Sequence, residues 1–194
     1  MNLILRDYLK KLESQGQKND SEVSDYDSKY LNLERDAAAF ICLLIKIKQP
    51  KNFLEIGTSN GYSTIWFASA LNDAANILTV EKSKRKIVEA RTNFERVHLS
   101  HKIEIVESDA AEFMRNNRTK YDVIFLDANR KEYMNYIGSI ESSLSDRGLI
   151  ICDNAISHRE ELSDFTEYMI HSDHYDTITV PVGKGVLVAA HNGG

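Results

Sequence analysis

From Asn52 to Asn154 the chain alternates five short apolar runs with spacers long enough to hold a helix. The runs are NFLEIG (52–57), ILTVE (77–81), IEIVES (103–108), YDVIFLD (121–127) and GLIICDN (148–154). They are nearly continuous in Val, Ile, Leu and Phe, so each reads as a strand buried on both faces. Parallel neighbours need a crossover, and the spacers supply one as a helix each time. The expected fold is α/β: a doubly wound, mostly parallel sheet with helices on both sides. The end of the chain breaks the rhythm. YDTITVPVG (175–183) and GVLVAAH (185–191) meet around Gly183-Lys184-Gly185 with no room for a helix. That predicts a hairpin, and hence an antiparallel terminal strand.

A length of 194 residues suits one domain, 1–194, divided into an N-terminal helical segment, 1–48, and a core, 52–191. Asn2 to Glu13 reads as a short amphipathic helix and Ser14 to Lys29 as a polar loop. Leu33 to Lys48 reads as a helix that is apolar on most sides. Such a helix wants cover on more than one face, from the sheet and from a second subunit, so a homodimer through the N-terminal helices is expected. The longest apolar run, Ala37 to Ile45, is too short to span a bilayer, and the start of the chain has no leader-like apolar stretch. The net charge of −5 gives no general pull toward nucleic acid or an anionic membrane. Cys42 and Cys152 lie far apart in apolar runs, outside any C-x-x-C pattern. They read as buried free thiols of a reducing, cytoplasmic compartment.

The first strand ends in Gly57-Thr58-Ser59-Asn60-Gly61, which has the G-x-S-x-G form of a hydrolase nucleophile elbow. Its context is wrong for that. The elbow follows an inner strand of an established sheet, and here it follows the first. The G-x-G-x-x-G spacing of a dinucleotide site is also absent. A third reading fits. Gly57 and Gly61 let the backbone turn tightly against a ligand. Glu81, closing the second strand, can accept hydrogen bonds from two ribose hydroxyls. The turn carries no basic residue, which disfavours a phosphate-rich ligand and suits S-adenosylmethionine (SAM). Its sulfonium and ammonium tolerate an acidic neighbour such as Glu55. Ser63 opens the following helix, and Ser59 is then a turn residue.

Asp127 ends the fourth strand, and Asp153-Asn154 end the fifth, on the edge where open α/β sheets bind ligands. Neighbouring strands lie about 4.8 Å apart, so the three side chains can meet on one ion. Two carboxylates and an amide oxygen suit a hard divalent cation, Mg²⁺ or alternatively Ca²⁺ or Mn²⁺.

LEIGTSNGYST, the strand-end Glu81, ESDA at 107–110, FLDANRKEY at 125–133 and ICDN at 151–154 together resemble the metal-dependent O-methyltransferases of the caffeoyl-CoA and catechol type. The resemblance implies a class I, Rossmann-like, seven-stranded methyltransferase sheet with an antiparallel terminal strand. It implies SAM contacts at Glu55, Gly57, Gly61, Ser63 and Glu81, adenine contacts around Ser108, Asp109 and Ala110, and metal ligation by Asp127, Asp153 and Asn154, with Asp127 bordering the cofactor as well. The activity implied is metal-assisted methylation of a small, chelating, catechol-like hydroxyl acceptor. Two positions depart from the pattern, Asn129 and Arg130. The family usually carries D-A-D-K-x-x-Y here, and this chain has Asp127-Ala128-Asn129-Arg130, with Arg130 in the lysine's place. Arginine stays protonated and cannot accept a proton. Arg130 is then electrostatic, and deprotonation falls to the metal, to Lys131 or to His158.

Ser157-His158-Arg159-Glu160 has capping-box form and predicts a helix start that brings His158 beside the cleft. His171 and His174 read as surface residues. The run Lys82, Lys84, Arg85, Lys86, Arg91 reads as a solvated helix face. Two alternatives stay open: a tRNA-modifying methyltransferase that uses that basic run, and a SAM-binding protein without turnover.

Overall fold

The computed structural model describes residues 3–193. Seven strands form one sheet: β1 (Asn52–Ile56), β2 (Asn76–Glu81), β3 (Ile103–Glu107), β4 (Tyr121–Leu126), β5 (Leu144–Cys152), β6 (Tyr175–Val180) and β7 (Val186–His191). Their order is β3-β2-β1-β4-β5-β7-β6. The first five pair in parallel, and β7 pairs antiparallel with both β5 and β6. All five expected inner strands and the terminal hairpin are present. From β1 the chain winds outward to β3, then crosses back to β4. That reversal opens a crevice at the carboxyl ends of β1 and β4.

Seven α-helices cover the sheet: α1 (Leu3–Glu22), α2 (Arg35–Lys48), α3 (Tyr62–Ala70), α4 (Lys84–Arg96), α5 (Ala110–Asn116), α6 (Ile137–Ser143) and α7 (Ser163–His171). Successive strand residues point to opposite faces, and this alternation divides the core in two. Phe53, Phe125 and Ile151 face α1 to α4, whereas Leu54, Ile124, Ile150 and Cys152 face α5 to α7. Leu43 and Ile47 on the outer side of α2 are 57% and 80% exposed, so that helix is covered on its sheet side only. Both cysteines are free and buried, as expected. Among the described residues no helix is long and apolar enough to cross a membrane.

Three local expectations change. Asn2, the expected first residue of α1, lies outside the described residues. The segment expected to loop from Ser14 stays helical to Glu22. Its buried face continues from Leu9 and Leu12 to Gly16, a residue that carries no apolar signal. A Cβ there would come within 2.3 Å of the Asn32 amide nitrogen, so the glycine makes room for the chain that follows. The fifth strand starts at Leu144, earlier than Gly148, because Leu144 already pairs with Tyr121. Finally, Ser157 to Glu160 does not open a helix; turns carry the chain from Ala155 to Leu162, and α7 starts at Ser163. The reason is a competing set of partners. Ala155 N donates to Gly185 O, and Ile156 N and Ser157 N donate to Lys184 O, so the β6–β7 turn holds this segment.

Phe67 is fully buried at the centre of the first core, with ring centroids 5.3 Å from Phe53 and 4.9 Å from Phe125. Phe67→Ala should cost about 3–5 kcal/mol, read as a lowered urea midpoint with an unchanged slope.

Candidate functional site

The crevice at the strand ends is a cavity of about 600 Å³. Its first wall is the β1–α3 turn. Gly57 N and Thr58 N donate to Val80 O, continuing the β1–β2 ladder past its last pair. Gly57 has φ +107°, and a Cβ on it would sit 2.2 Å from Asp127 O. The turn therefore passes β4 at a distance that only glycine allows. Ser59 also takes a left-handed φ, of 49°. Its hydroxyl donates to Tyr30 O at 2.8 Å and its N–H to Glu81 Oε2 at 2.9 Å, so it holds the turn in place. Glu81 Oε1 accepts from Ser83 N at 2.8 Å, and Asn60 Nδ2 is buried with no partner. Gly57, Ser63, Glu81, Ser108, Asp109 and Ala110 all line this cavity. Gly61, with φ +84°, caps α3 behind it and packs on Phe94.

Glu55 is expected at the ligand but lies a layer below it. It pairs in register with Phe125, two residues beneath Asp127. Its carboxylate is fully buried under α3, where Ser63 Oγ and Thr79 Oγ1 donate to it at 2.6 Å and Thr64 Oγ1 donates as well. Burial outweighs those three hydroxyls and pushes Glu55 up to about 7. Its work is to tie α3 to the sheet, and it does not reach the cavity.

The opposite end holds the acidic pair. Leu126 pairs with Cys152, so Asp127 and Asp153 stand level, one residue beyond the last rung, on the same face of the sheet. Asn154, at φ 68°, turns its amide nitrogen toward both, 3.2 Å from Asp127 Oδ1 and 2.9 Å from Asp153 Oδ2. Asp153 Oδ1 is buried and has no partner. Burial and the adjacent Asp153 charge raise Asp127 well above the usual carboxylate range, and burial pushes Asp153 up to about 6. Two carboxylates with an idle oxygen form a place that attracts positive charge, part of which the Asn154 NH₂ group between them already supplies. Among the described residues no group of three or more His, Cys, Asp or Glu side chains could hold a metal ion, so a cation here would rest on the two carboxylates and on the Asn154 amide turned to offer its oxygen.

Around the pair stand the residues expected to serve catalysis. Arg130 Nε binds Glu161 Oε2 at 3.0 Å, which holds the guanidinium at the rim. Lys131 is exposed on the cavity wall. His158 shares a 2.9 Å hydrogen bond with Ser157 Oγ, and partial burial together with Arg130 lowers its pKa. Tyr133 Oη accepts from Ala128 N at 2.8 Å and fixes the loop after Asp127.

Two features escape sequence reasoning. Lys184 reaches the acidic pair from the β6–β7 turn, and its ammonium favours both carboxylates ionised. Tyr26 to Leu33 roofs the cavity. Asp20 anchors that roof by accepting from Tyr30 N at 2.8 Å and Leu31 N at 3.1 Å. The Tyr30 hydroxyl donates to Glu89 at 2.6 Å, and Arg85 lies over its ring at 5.7 Å. Lys84 pairs with Glu107 at 3.5 Å, so part of the basic run has local partners.

The sheet order and the crevice define a class I, Rossmann-like methyltransferase fold. The chain belongs to the O-methyltransferase family, whose sequence profile matches residues 6–186. It is 29% identical over 138 residues to a catechol O-methyltransferase of Niastella koreensis, covering 69% of this chain and 62% of that protein. It is 32% identical over 127 residues to caffeoyl-CoA O-methyltransferase 2 of Petunia hybrida, covering 62% and 52%. The chain thus spans less than two thirds of these relatives. The S-adenosylhomocysteine-bound methyltransferase PaMTH1 of Podospora anserina superposes with a TM-score of 0.81 at 21% identity, covering 99% of this chain and 89% of that one. The O-methyltransferase TomG of Streptomyces achromogenes, solved with SAM, gives 0.80 at 20% identity, covering 100% and 91%.

Glu55 makes a pH test of the site's foundation. Its folded value near 7 exceeds the roughly 4.3 of an unfolded glutamate. The folded chain therefore holds the proton more tightly, and this stabilisation is complete below about pH 4.3 and lost as pH rises to about 7. Glu55→Gln should flatten that part of the stability curve and gain, on the order of, 3 kcal/mol relative to the parent at pH 8. Urea unfolding across pH 5–8 reads the difference between the two chains. Parallel curves would place the glutamate's proton elsewhere.

Proposed function

We propose that this chain, acting as one domain, transfers a methyl group from SAM to a hydroxyl oxygen of a small chelating, catechol-like acceptor, with a divalent cation held by Asp127, Asp153 and Asn154. One observation carries the reading: the level pair Asp127 and Asp153, with its unpartnered buried oxygen, opens into the same cavity as Glu81. The family and the catechol and caffeoyl-CoA names of its relatives support the acceptor class.

Each residue has a separate task. Glu81 accepts the ribose hydroxyls while its two backbone hydrogen bonds keep it aimed. Gly57 lets the turn approach the ligand, and the free Asn60 amide nitrogen offers a donor to the amino-acid end of SAM. Ser108, Asp109 and Ala110 border the adenine. Bound there, SAM would supply an electrophilic sulfonium methyl group, which these residues would hold toward the acceptor oxygen. Alignment of the two is worth several kcal/mol of barrier. A divalent cation supplies Lewis acidity that favours the ionised acceptor, which otherwise has a phenol pKa of about 10. Asp127, Asp153 and Asn154 are the ligand set for such a hard ion. Arg130, tethered by Glu161, contributes charge at the rim and no base. His158, with its pKa lowered, is neutral near pH 7 and can accept the proton, with Lys131 as the other candidate.

Two measurements test the reading. Glu81→Ala should weaken SAM about 10- to 100-fold by calorimetry, as loss of hydrogen bonds to a charged group costs roughly 1.5–3 kcal/mol. Unchanged affinity would remove this strand end from the cofactor. Asp153→Ala should abolish both Mn²⁺ binding, followed by calorimetry, and methylation of a catechol. Full turnover after exhaustive chelation would refute the cation.

A further inference from the structure

The roof of the strand-end cavity, Tyr26 to Leu33, is tied down unevenly. On the Glu81 side it has many partners: the Asp20 carboxylate, the Ser59 hydroxyl, Glu89, and Arg85, whose Nη2 donates to Ser28 O at 2.9 Å. Toward the acidic pair the roof ends in Tyr26, and its partner there is Arg130. The guanidinium lies within hydrogen-bonding reach of the Tyr26 hydroxyl oxygen. The same guanidinium donates through Nε to Glu161 Oε2 at 3.0 Å. Tyr26, Arg130 and Glu161 thus link the roof, the segment after β4 and the segment after β5, three stretches far apart in the chain. The Arg130 side chain is only 11% exposed, although it lines the cavity rim. An arginine is suited to this bridge. Its Nε sits on the stem and its terminal nitrogens lie beyond, so separate nitrogens of one rigid plane can hold two partners. A lysine has a single nitrogen for both.

We propose that Arg130 sets the size of the acceptor: it clasps Tyr26 to Glu161, closes the roof over the acidic end, and admits beneath it only a compact, single-ring hydroxyl compound. This deepens the methyl-transfer reading and rests on it. A second ring or a rigid tail pointing out of the acidic end would have to pass between Tyr26 and Arg130 and part them. Tyr26 is 59% exposed, so parting them uncovers little apolar surface, and the clasp can open for entry and release. Arg130 is on this account a positioning residue that acts through Tyr26. A guanidinium that supplied charge alone would weigh equally on acceptors of every length.

The test compares catechol with 4-phenylcatechol, which offers the same chelating head on a rigid two-ring body, in the presence of SAM and Mn²⁺. The parent should favour catechol at least tenfold in kcat/KM. In Tyr26→Phe, and equally in Arg130→Lys, that preference should fall several-fold, mostly through a lower KM for 4-phenylcatechol. The ratio removes the effect of charge at the reacting oxygen, which is nearly the same for both acceptors. A second readout needs no turnover. With S-adenosylhomocysteine bound, the Ser28 and Lys29 amides should exchange hydrogen several-fold faster in both variants, while the Tyr30 and Leu31 amides, held by Asp20, keep the parent rate. A preference for catechol that neither variant changes would overturn the proposal. So would exchange at Ser28 and Lys29 equal to the parent's, or an Arg130→Lys chain that matches the parent while Tyr26→Phe does not. A parent that methylates no catechol would overturn the methyl-transfer reading and the size limit with it, whereas unchanged exchange alongside full turnover would overturn the clasp only.

Discussion

The pairing of Leu126 with Cys152 sets everything that follows at the strand ends. Strand residues alternate sides, so this register puts Asp127 and Asp153 on one face at one height. A slip of one residue would send one of them into the opposite core. Burial raises both carboxylates, and the Asp153 charge raises Asp127 further. The surroundings respond to that charge. Lys184 reaches in from the hairpin, the Asn154 amide turns its nitrogen toward both, and Arg130 stands at the rim with Glu161 as its own counter-charge. Gly57 is a further consequence, because the turn after β1 must pass the carbonyl of Asp127 itself.

The parts of the fold that announce themselves in the sequence are those held by apolar burial at a fixed period. The five inner strands are unbroken Val/Ile/Leu/Phe runs, and the hairpin shows in the shortness of Gly183-Lys184-Gly185. The strand-end acids are legible for a related reason: a charge that ends an apolar run must lie where the sheet meets the cleft. What stays hidden depends on backbone partners or on distance along the chain. The second half of α1 turns on a glycine that fits against Asn32. The roof is held by an Asp20 carboxylate and by the Ser59 hydroxyl, neither of which has a sequence period. Glu55 misleads because it is two residues from the turn in the chain yet one layer down in the sheet. The S-x-x-E box at Ser157 has the right letters, but the hairpin takes the Ser157 N–H and His158 engages the Ser157 hydroxyl.

The two ends of the cleft differ in rigidity of origin. The Glu81 end is built from neighbouring elements, β1, α3, β2 and β3, joined by ladder hydrogen bonds that continue past the strands, such as Ser108 N to Glu81 O. The acidic end draws on β4, β5 and the β6–β7 turn. A ligand that bridges both ends touches pieces of chain that meet only through the sheet. The roof adds one more piece, since Tyr30 joins α1, α4 and the β1–α3 turn by way of Asp20, Glu89 and Ser59.

The grip of the Lys184 and Gly185 carbonyls on Ala155, Ile156 and Ser157 has a bearing on how the chain is made. A ribosome delivers Asp127 and Asp153 well before the hairpin that clasps the loop after them. Until Gly185 emerges, that loop has no partner for three of its N–H groups, and its capping-box letters favour the helix that the finished fold forbids. The loop after Asp153 can therefore take its final course only once the hairpin is in place. The strand-end acids come first along the chain, and Lys184, which shares their cavity, comes only with the β6–β7 turn.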